Sequence, residues 1–181
     1  MAIIQDAQTG ITAQVDNENR IRTFSISQSE DKHTNVEGLY NSLFLQVTPA
    51  GANDYFWYLQ NTSTSDVSIT DIRIASTVAS QINLHYVSGT PVYITGTETQ
   101  ITNRNLGSSK IPSVITQYDT DITGLVDEGI LLFDSLDTAN RMYHMKTTSN
   151  IIIPQGQAVA LRRVAATGDI TCLVSITRAE S

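Results

Sequence analysis

The feature that most limits what this chain can fold into is the period of its apolar residues. They alternate with polar ones in short runs, each ended by Gly, Pro, Asn, Asp or Ser, and no helical spacing is sustained over several turns. Alternation with a period of two describes a half-buried strand. The residues filling these runs agree: Thr, Ile and Val supply 55 of the 181 positions. Such β-branched side chains are stiff at χ1 and suit a pleated sheet better than a helix. A chain of 181 residues has room for one full domain, or for one domain with a long arm. At that size a compact chain buries roughly 70% of the surface its unfolded form exposes, enough for a core without disulfide staples.

Individual strands follow from the alternation. Leu43, Leu45 and Val47 share a face, and the turn-forming residues 49–54 end their strand. The next segment, Tyr55-Phe56-Trp57-Tyr58-Leu59, is apolar at every position. That predicts a central strand covered on both faces, by its own chain or by a neighbouring subunit. After a turn at residues 61–66, the alternation of Val67 and Ile69 slips phase and returns as Ile72 and Ile74, which predicts a β-bulge near Thr70-Asp71. Further strands are expected at residues 82–87, at 92–95 after a turn at 88–91, and at 130–133; Ser135 as a cap suggests one helical turn over 135–141. Residues 151–153, a turn at 154–156, a strand at 158–164, a turn at 167–169 and a strand at 170–177 complete the chain. In the last strand Ile170, Cys172, Val174 and Ile176 point one way.

About eight such strands at short spacing predict an all-β fold, an antiparallel β-sandwich of the jelly-roll type over residues 41–181, with an immunoglobulin-like sandwich as the alternative. Residues 1–40 differ: they are dominated by Gln, Asn, Asp, Ser and Glu. Within them Ile11, Ala13 and Val15 alternate, residues 16–19 supply turn chemistry, and residues 20–26 resume an extended pattern, which predicts a β-hairpin. Residues 27–35 carry too little apolar surface to offset the entropy of ordering them alone, so they read as a linker or as an arm ordered by a partner.

Charge and motifs narrow the function. The formal net charge is −7 with only 16% charged residues, and the few Lys and Arg are scattered. No phosphate-neutralising stripe exists, which argues against nucleic acid as a partner. No apolar run approaches the roughly 20 residues that cross a bilayer, and the start of the chain lacks the pattern of a secretion signal, so synthesis in a cytoplasm and no membrane contact are expected. The single cysteine, Cys172, sits in an apolar alternation and reads as a small core side chain. His33, His85 and His144 show no metal-ligand spacing; His85, between Leu84 and Tyr86, reads as a hydrogen-bonded structural residue, and His33 as a solvated one. There is no GxSxG elbow and no phosphate-binding glycine motif.

Two acidic pairs, Asp119-Thr120-Asp121 and Asp16-Asn17-Glu18, place oxygens two residues apart in what read as loops. Calcium needs six or more oxygen ligands, so solvated loops are the simpler reading. Asn61-Thr62-Ser63 matches the glycosylation sequon but reads as a turn, and the tyrosines and Trp57, which could stack on sugars, lie mostly in strands. No catalytic, cofactor-binding or metal-binding residue is singled out, and no cofactor is implied.

The passage from Thr9 through Val15-Asp16-Asn17-Glu18-Asn19-Arg20-Ile21, with its Ser-rich link and the approach His33, Gly38, Leu39-Tyr40, resembles the opening of a group of tailed-bacteriophage virion proteins. The stretch Ile153-Pro154-Gln155-Gly156-Gln157-Ala158-Val159-Ala160-Leu161 through Ile176 is similar to the ending of jelly-roll head-decoration proteins. The resemblance implies a capsid decoration or cement protein on the outer surface of a virion. It implies a trimer bound to the major capsid protein and to neighbouring copies, with no catalytic residues. The doubly apolar segment 55–59 adds to the expectation of a homo-oligomer. A tail- or fibre-associated receptor- or glycan-binding domain is the alternative, and a polysaccharide-cleaving enzyme, which would need paired carboxylates, comes third.

Overall fold

A computed structural model describes residues 2–5, 12–15, 21–23, 38–145, 150–165 and 167–178. The chain divides into two compact units, Met1–His33 and Thr34–Ser181. In the first, strands β1 (Ala2–Gln5), β2 (Thr12–Val15) and β3 (Ile21–Thr23) form an antiparallel sheet in chain order. The expected hairpin is present as β2 and β3, with Val15 opposite Ile21 and Ala13 opposite Thr23. The alternation in residues 2–5 is too short to have announced β1. The turn at 16–19 and the linker at 27–35 lie outside the described residues.

The second unit contains β4 (Tyr40–Val47), β5 (Tyr55–Asn61), β6 (Val67–Ser76), β7 (Ser80–Tyr93), β8 (Thr97–Glu98), β9 (Gln100–Asn103), β10 (Val114–Leu136), β11 (Met142–Met145), β12 (Ile151–Ile153), β13 (Ala158–Arg163) and β14 (Ile170–Arg178). One sheet has the order β11-β6-β14-β4-β9 with β12 also on β6, and the other the order β5-β13-β7-β10-β8. All pairings are antiparallel, and the main strands interleave as β12-β6-β14-β4 and β5-β13-β7-β10. Each sheet therefore combines strands from both halves of the unit, which is the jelly-roll arrangement.

The core lies between the sheets. Leu43 and Leu45 of β4, Ile69, Ile72 and Ile74 of β6, and Cys172, Val174 and Ile176 of β14 meet Trp57, Leu59, Ile82, Leu84 and Leu161, all buried. The bulge falls where the phase slip predicts it: Ser175 pairs with Asp71 and Ile176 with Ile69, leaving Thr70 without an opposite residue. One extra residue restores the inward direction of Ile69 and Val67 after Ile72 and Ile74.

Several expectations are overturned. The segment 88–91 is not a turn; β7 runs through it to Tyr93. Residues 119–121 are not a loop, and 130–133 is not a separate strand, because both belong to the 23-residue β10. Residues 135–141 form no helical turn: β10 continues to Leu136, and Asn140 takes a left-handed conformation and donates its N–H to the Ser76 carbonyl. The shared reason is that β7 and β10 bend instead of stopping. Gly89 and Gly124, both at positive φ, lie against each other, and a Cβ on either would come within 2.6 or 2.5 Å of a carbonyl oxygen on the facing strand. Glycine here permits a close approach inside a ladder, although in sequence it looks like turn punctuation.

This bending closes the second sheet. The early part of β10 pairs with β5, from Val114 opposite Asn61 to Ile122 opposite Tyr55. The later part pairs with β7, from Ile122 opposite Tyr93 to Leu136 opposite Ser80. The strands β5, β13, β7 and β10 thus roll up around a second, smaller interior made by Tyr58, Val87, Ile122, Ala158 and Ala160. Both faces of β5 are accordingly covered by its own chain. Of the two ways to bury residues 55–59, the intramolecular one is realised, and this segment no longer argues for a neighbouring subunit.

Candidate functional site

The side chains with the most chemical potential in the sequence are mostly committed to holding the fold. His85 is fully buried in β7, and its Nδ1 lies 2.8 Å from Oδ1 of Asp127 on β10. The same carboxylate accepts the Gly129 N–H at 3.0 Å and, through Oδ2, a hydrogen bond from Arg162 Nη1 at 3.2 Å. The Tyr55 ring meets His85 edge-on at 5.5 Å. Burial pushes the Asp127 carboxyl upward, but His85, the Gly129 N–H and Arg162 outweigh it and hold the group below the usual carboxylate range. A His–Asp pair of this kind resembles half of a catalytic triad. Here the imidazole is closed off from solvent, and the pair ties β7 to β10 across the rolled sheet.

Asp119 has a comparable task. Its Oδ2 accepts the N–H groups of Ile94, Thr95 and Gly96 at 2.6, 2.8 and 3.0 Å, and Oδ1 accepts that of Thr120 at 2.6 Å. Burial raises its pKa, and these four backbone donors more than reverse that, so the net shift is downward. A carboxylate whose lone pairs are spent on backbone donors pins the segment after β7 and is a poor cation ligand. Asp121 is pushed upward, first by burial and then by Asp54 and Asp119. Among the described residues no group of three or more His, Cys, Asp or Glu could hold a metal ion. Asp16, Glu18 and His33 lie outside the described residues.

The remaining candidates fall in place similarly. Asn61 is fully buried; its amide donates to the carbonyls of Ser65 and Ile153, and its Oδ1 accepts from Ser63, so the sequon is an internal turn clamp. Cys172 is buried in the core, where burial raises its thiol pKa and keeps it protonated. His144 is half exposed and pairs with Asp71, which also takes a hydrogen bond from Arg73 Nε at 2.8 Å. Sequence reasoning missed Arg163, a fully buried guanidinium that binds Ser80 Oγ, Ser76 Oγ and the carbonyls of Ala165 and Gly168. No local pattern marks it, because its partners come from β6, β7 and the segment after β13.

What is left for contact with other molecules is surface. A groove of about 310 Å³ runs between Tyr86, Leu131, Ile152, Pro154 and Gln157, and none of its lining residues is charged. Ile152 is 61% exposed and Leu131 43%. Leu131 owes its position to a slip of register between Ile130 and Leu132, a bulge that re-aims a side chain. Tyr86 donates from its hydroxyl to Gln157 Oε1 at 2.6 Å, which fixes one wall. Here apolar side chains stand exposed side by side, which makes this groove a candidate contact surface of the described residues. The signal in sequence was the run Ile151-Ile152-Ile153, in which a strand of period two needs only Ile151 and Ile153 inside. No known protein family matches this sequence, and no curated protein matches it. Among the described residues no helix is long and apolar enough to cross a membrane.

Proposed function

We propose that this chain is a structural virion protein of a tailed bacteriophage, a capsid decoration protein that joins shell subunits by contact alone. The observation that carries this reading is the uncharged groove at Tyr86, Leu131 and Ile152, presented by a jelly roll whose His85, Asp127, Asp119 and Arg163 are occupied in holding the fold. The resemblance of the opening and closing passages to virion proteins supplies the particle. A separate N-terminal unit, Met1–His33, supplies a second point of attachment, and many weak contacts on one shell add up through avidity. The partners are the major capsid protein and neighbouring copies, as trimers, on the outer surface of the virion.

Deleting residues 1–35 tests the attachment. The truncated protein is expected to keep its sandwich by circular dichroism yet no longer decorate particles; full occupancy by the truncated form would refute the reading. Counting copies on purified virions is the companion measurement. A number comparable with that of the shell subunits is expected, whereas a handful per particle would place the protein on a tail or fibre.

A further inference from the structure

We propose that the groove at Tyr86, Leu131 and Ile152 receives an extended, basic segment of a partner protein, which plants an apolar side chain in it. The inference rests on the reading above, in which this face meets the shell, and adds the chemistry of the segment that docks. The groove holds about 310 Å³. A space of that size admits single side chains, whereas a helix is about 10–12 Å across. Leu131, Ile152 and Pro154 give it apolar walls, and both Leu131 and Ile152 are exposed to an incoming group. Ile130 and Phe133 add exposed apolar surface on the same strand as Leu131.

Charge decides the occupant. Glu128 and Asp134 stand three residues to either side of Leu131 on β10, about 10 Å away along a strand that rises about 3.3 Å per residue. That is about one Debye length at 0.1 M salt, so both carboxylates act on whatever enters the groove. No Lys or Arg occurs in β7 or in residues 123–136 of β10. Among the described residues Asp134 has no hydrogen-bond or ionic partner, and Glu128 takes only a hydrogen bond from the Ser88 hydroxyl. Arg162 is already engaged by Asp127. A second copy docking through the same patch would set Glu128 and Asp134 of both molecules against each other, because a two-fold contact joins a surface to itself. Nucleic acid and anionic lipid meet the same repulsion, and a neutral apolar ligand gains nothing from the carboxylates. An extended segment with Lys or Arg two or three residues from an apolar anchor places those cations about 7–10 Å from it. It therefore satisfies groove and border together.

Fluorescence polarisation on the full chain tests it with a labelled heptapeptide that has a central leucine, threonine on each side of it and two lysines at each end. One comparator has serine in place of the leucine, and another has glutamate in place of every lysine. The basic leucine peptide is expected to bind with a Kd of about 0.1 mM at low salt and to weaken as salt screens the carboxylates. Each comparator should bind about tenfold more weakly. Leu131→Ser is expected to keep the Tm, since the side chain is exposed, and to weaken the basic peptide about tenfold. Glu128→Lys combined with Asp134→Lys should weaken it similarly and transfer preference to the glutamate peptide. The proposal is overturned if the serine or the glutamate peptide binds the parent as well as the basic leucine peptide does, or if the variants bind like the parent. It is equally overturned by a dimer of the parent that Leu131→Ser abolishes. Particles that carry the protein while no peptide binds it would overturn this inference alone. Absence of the protein from particles would overturn the reading above, with peptide binding still the measure of the groove.

Discussion

The two buried interiors of residues 34–181 are built on different terms. The space between the sheets is filled by aliphatic side chains together with Phe56, Trp57, Met145 and Cys172, held by area removed from water and by dense packing, with little direction required of any contact. The space inside the rolled sheet is smaller. It pairs Tyr58 with the short side chains of Ala158 and Ala160, and it is sealed by the His85–Asp127–Arg162 contacts. Neighbouring residues of β13 serve the two sides: Leu161 faces the first and Ala160 the second. A large interior tolerates sequence variation because many contacts share the load, whereas the small one depends on a few specific polar pairs and on glycines that let two backbones touch.

The largest expected effect belongs to the first interior. Leu161→Ala should lower stability by about 3 kcal/mol, read as a shift in denaturant midpoint without change in slope. A loss below about 1 kcal/mol would mean that the sheets are less tightly packed than the burial of Leu161 indicates. The second interior should respond to a change that removes nothing. Gly124→Ala places a methyl group against the Thr90 carbonyl at positive φ and should cost about 2 kcal/mol. An unchanged Tm would show that β7 and β10 do not cross as closely as described.

Acid should separate the two further, by a smaller amount. The Asp119 and Asp127 carboxyls are lowered in the folded state. Their contribution is complete above the unfolded value of about 3.9 and is lost as pH falls through the lower folded values. Asp121, which is raised, acts in the opposite sense: its charge costs stability at neutral pH, and acid relieves that cost. Stability measured from pH 5 downward should therefore fall for the parent, and Asp127→Asn should flatten part of that slope. Leu161→Ala should displace the whole curve in parallel. A variant at Asp127 with the parent's acid slope would remove the role assigned to that carboxylate.

Much of the fold was legible because it is written locally. The alternation in residues 43–47 and 170–177 needs only neighbours one and two positions away, and so does the phase slip that places the bulge at Thr70. The Pro154-Gln155-Gly156 turn carries its own chemistry. The strand β10 was not legible, since its 23 residues alternate poorly and its two halves answer to different partners. Gly89 and Gly124 misled for the same reason, as a glycine that admits a facing backbone is written like one that turns a chain. The groove was half legible, in an isoleucine run with one more apolar residue than a half-buried strand requires.

The amino-acid sequence on its own determined the β class, the positions of most strands and the inward side chains, because these follow from side-chain stiffness and a two-residue period. Only the tertiary structure decided that the second sheet closes, that both faces of residues 55–59 are covered by their own chain, and which polar residues are left for contact with other molecules. Those outcomes depend on which distant strands meet, and the free energy that selects the pairing is spread over contacts between residues far apart in the chain.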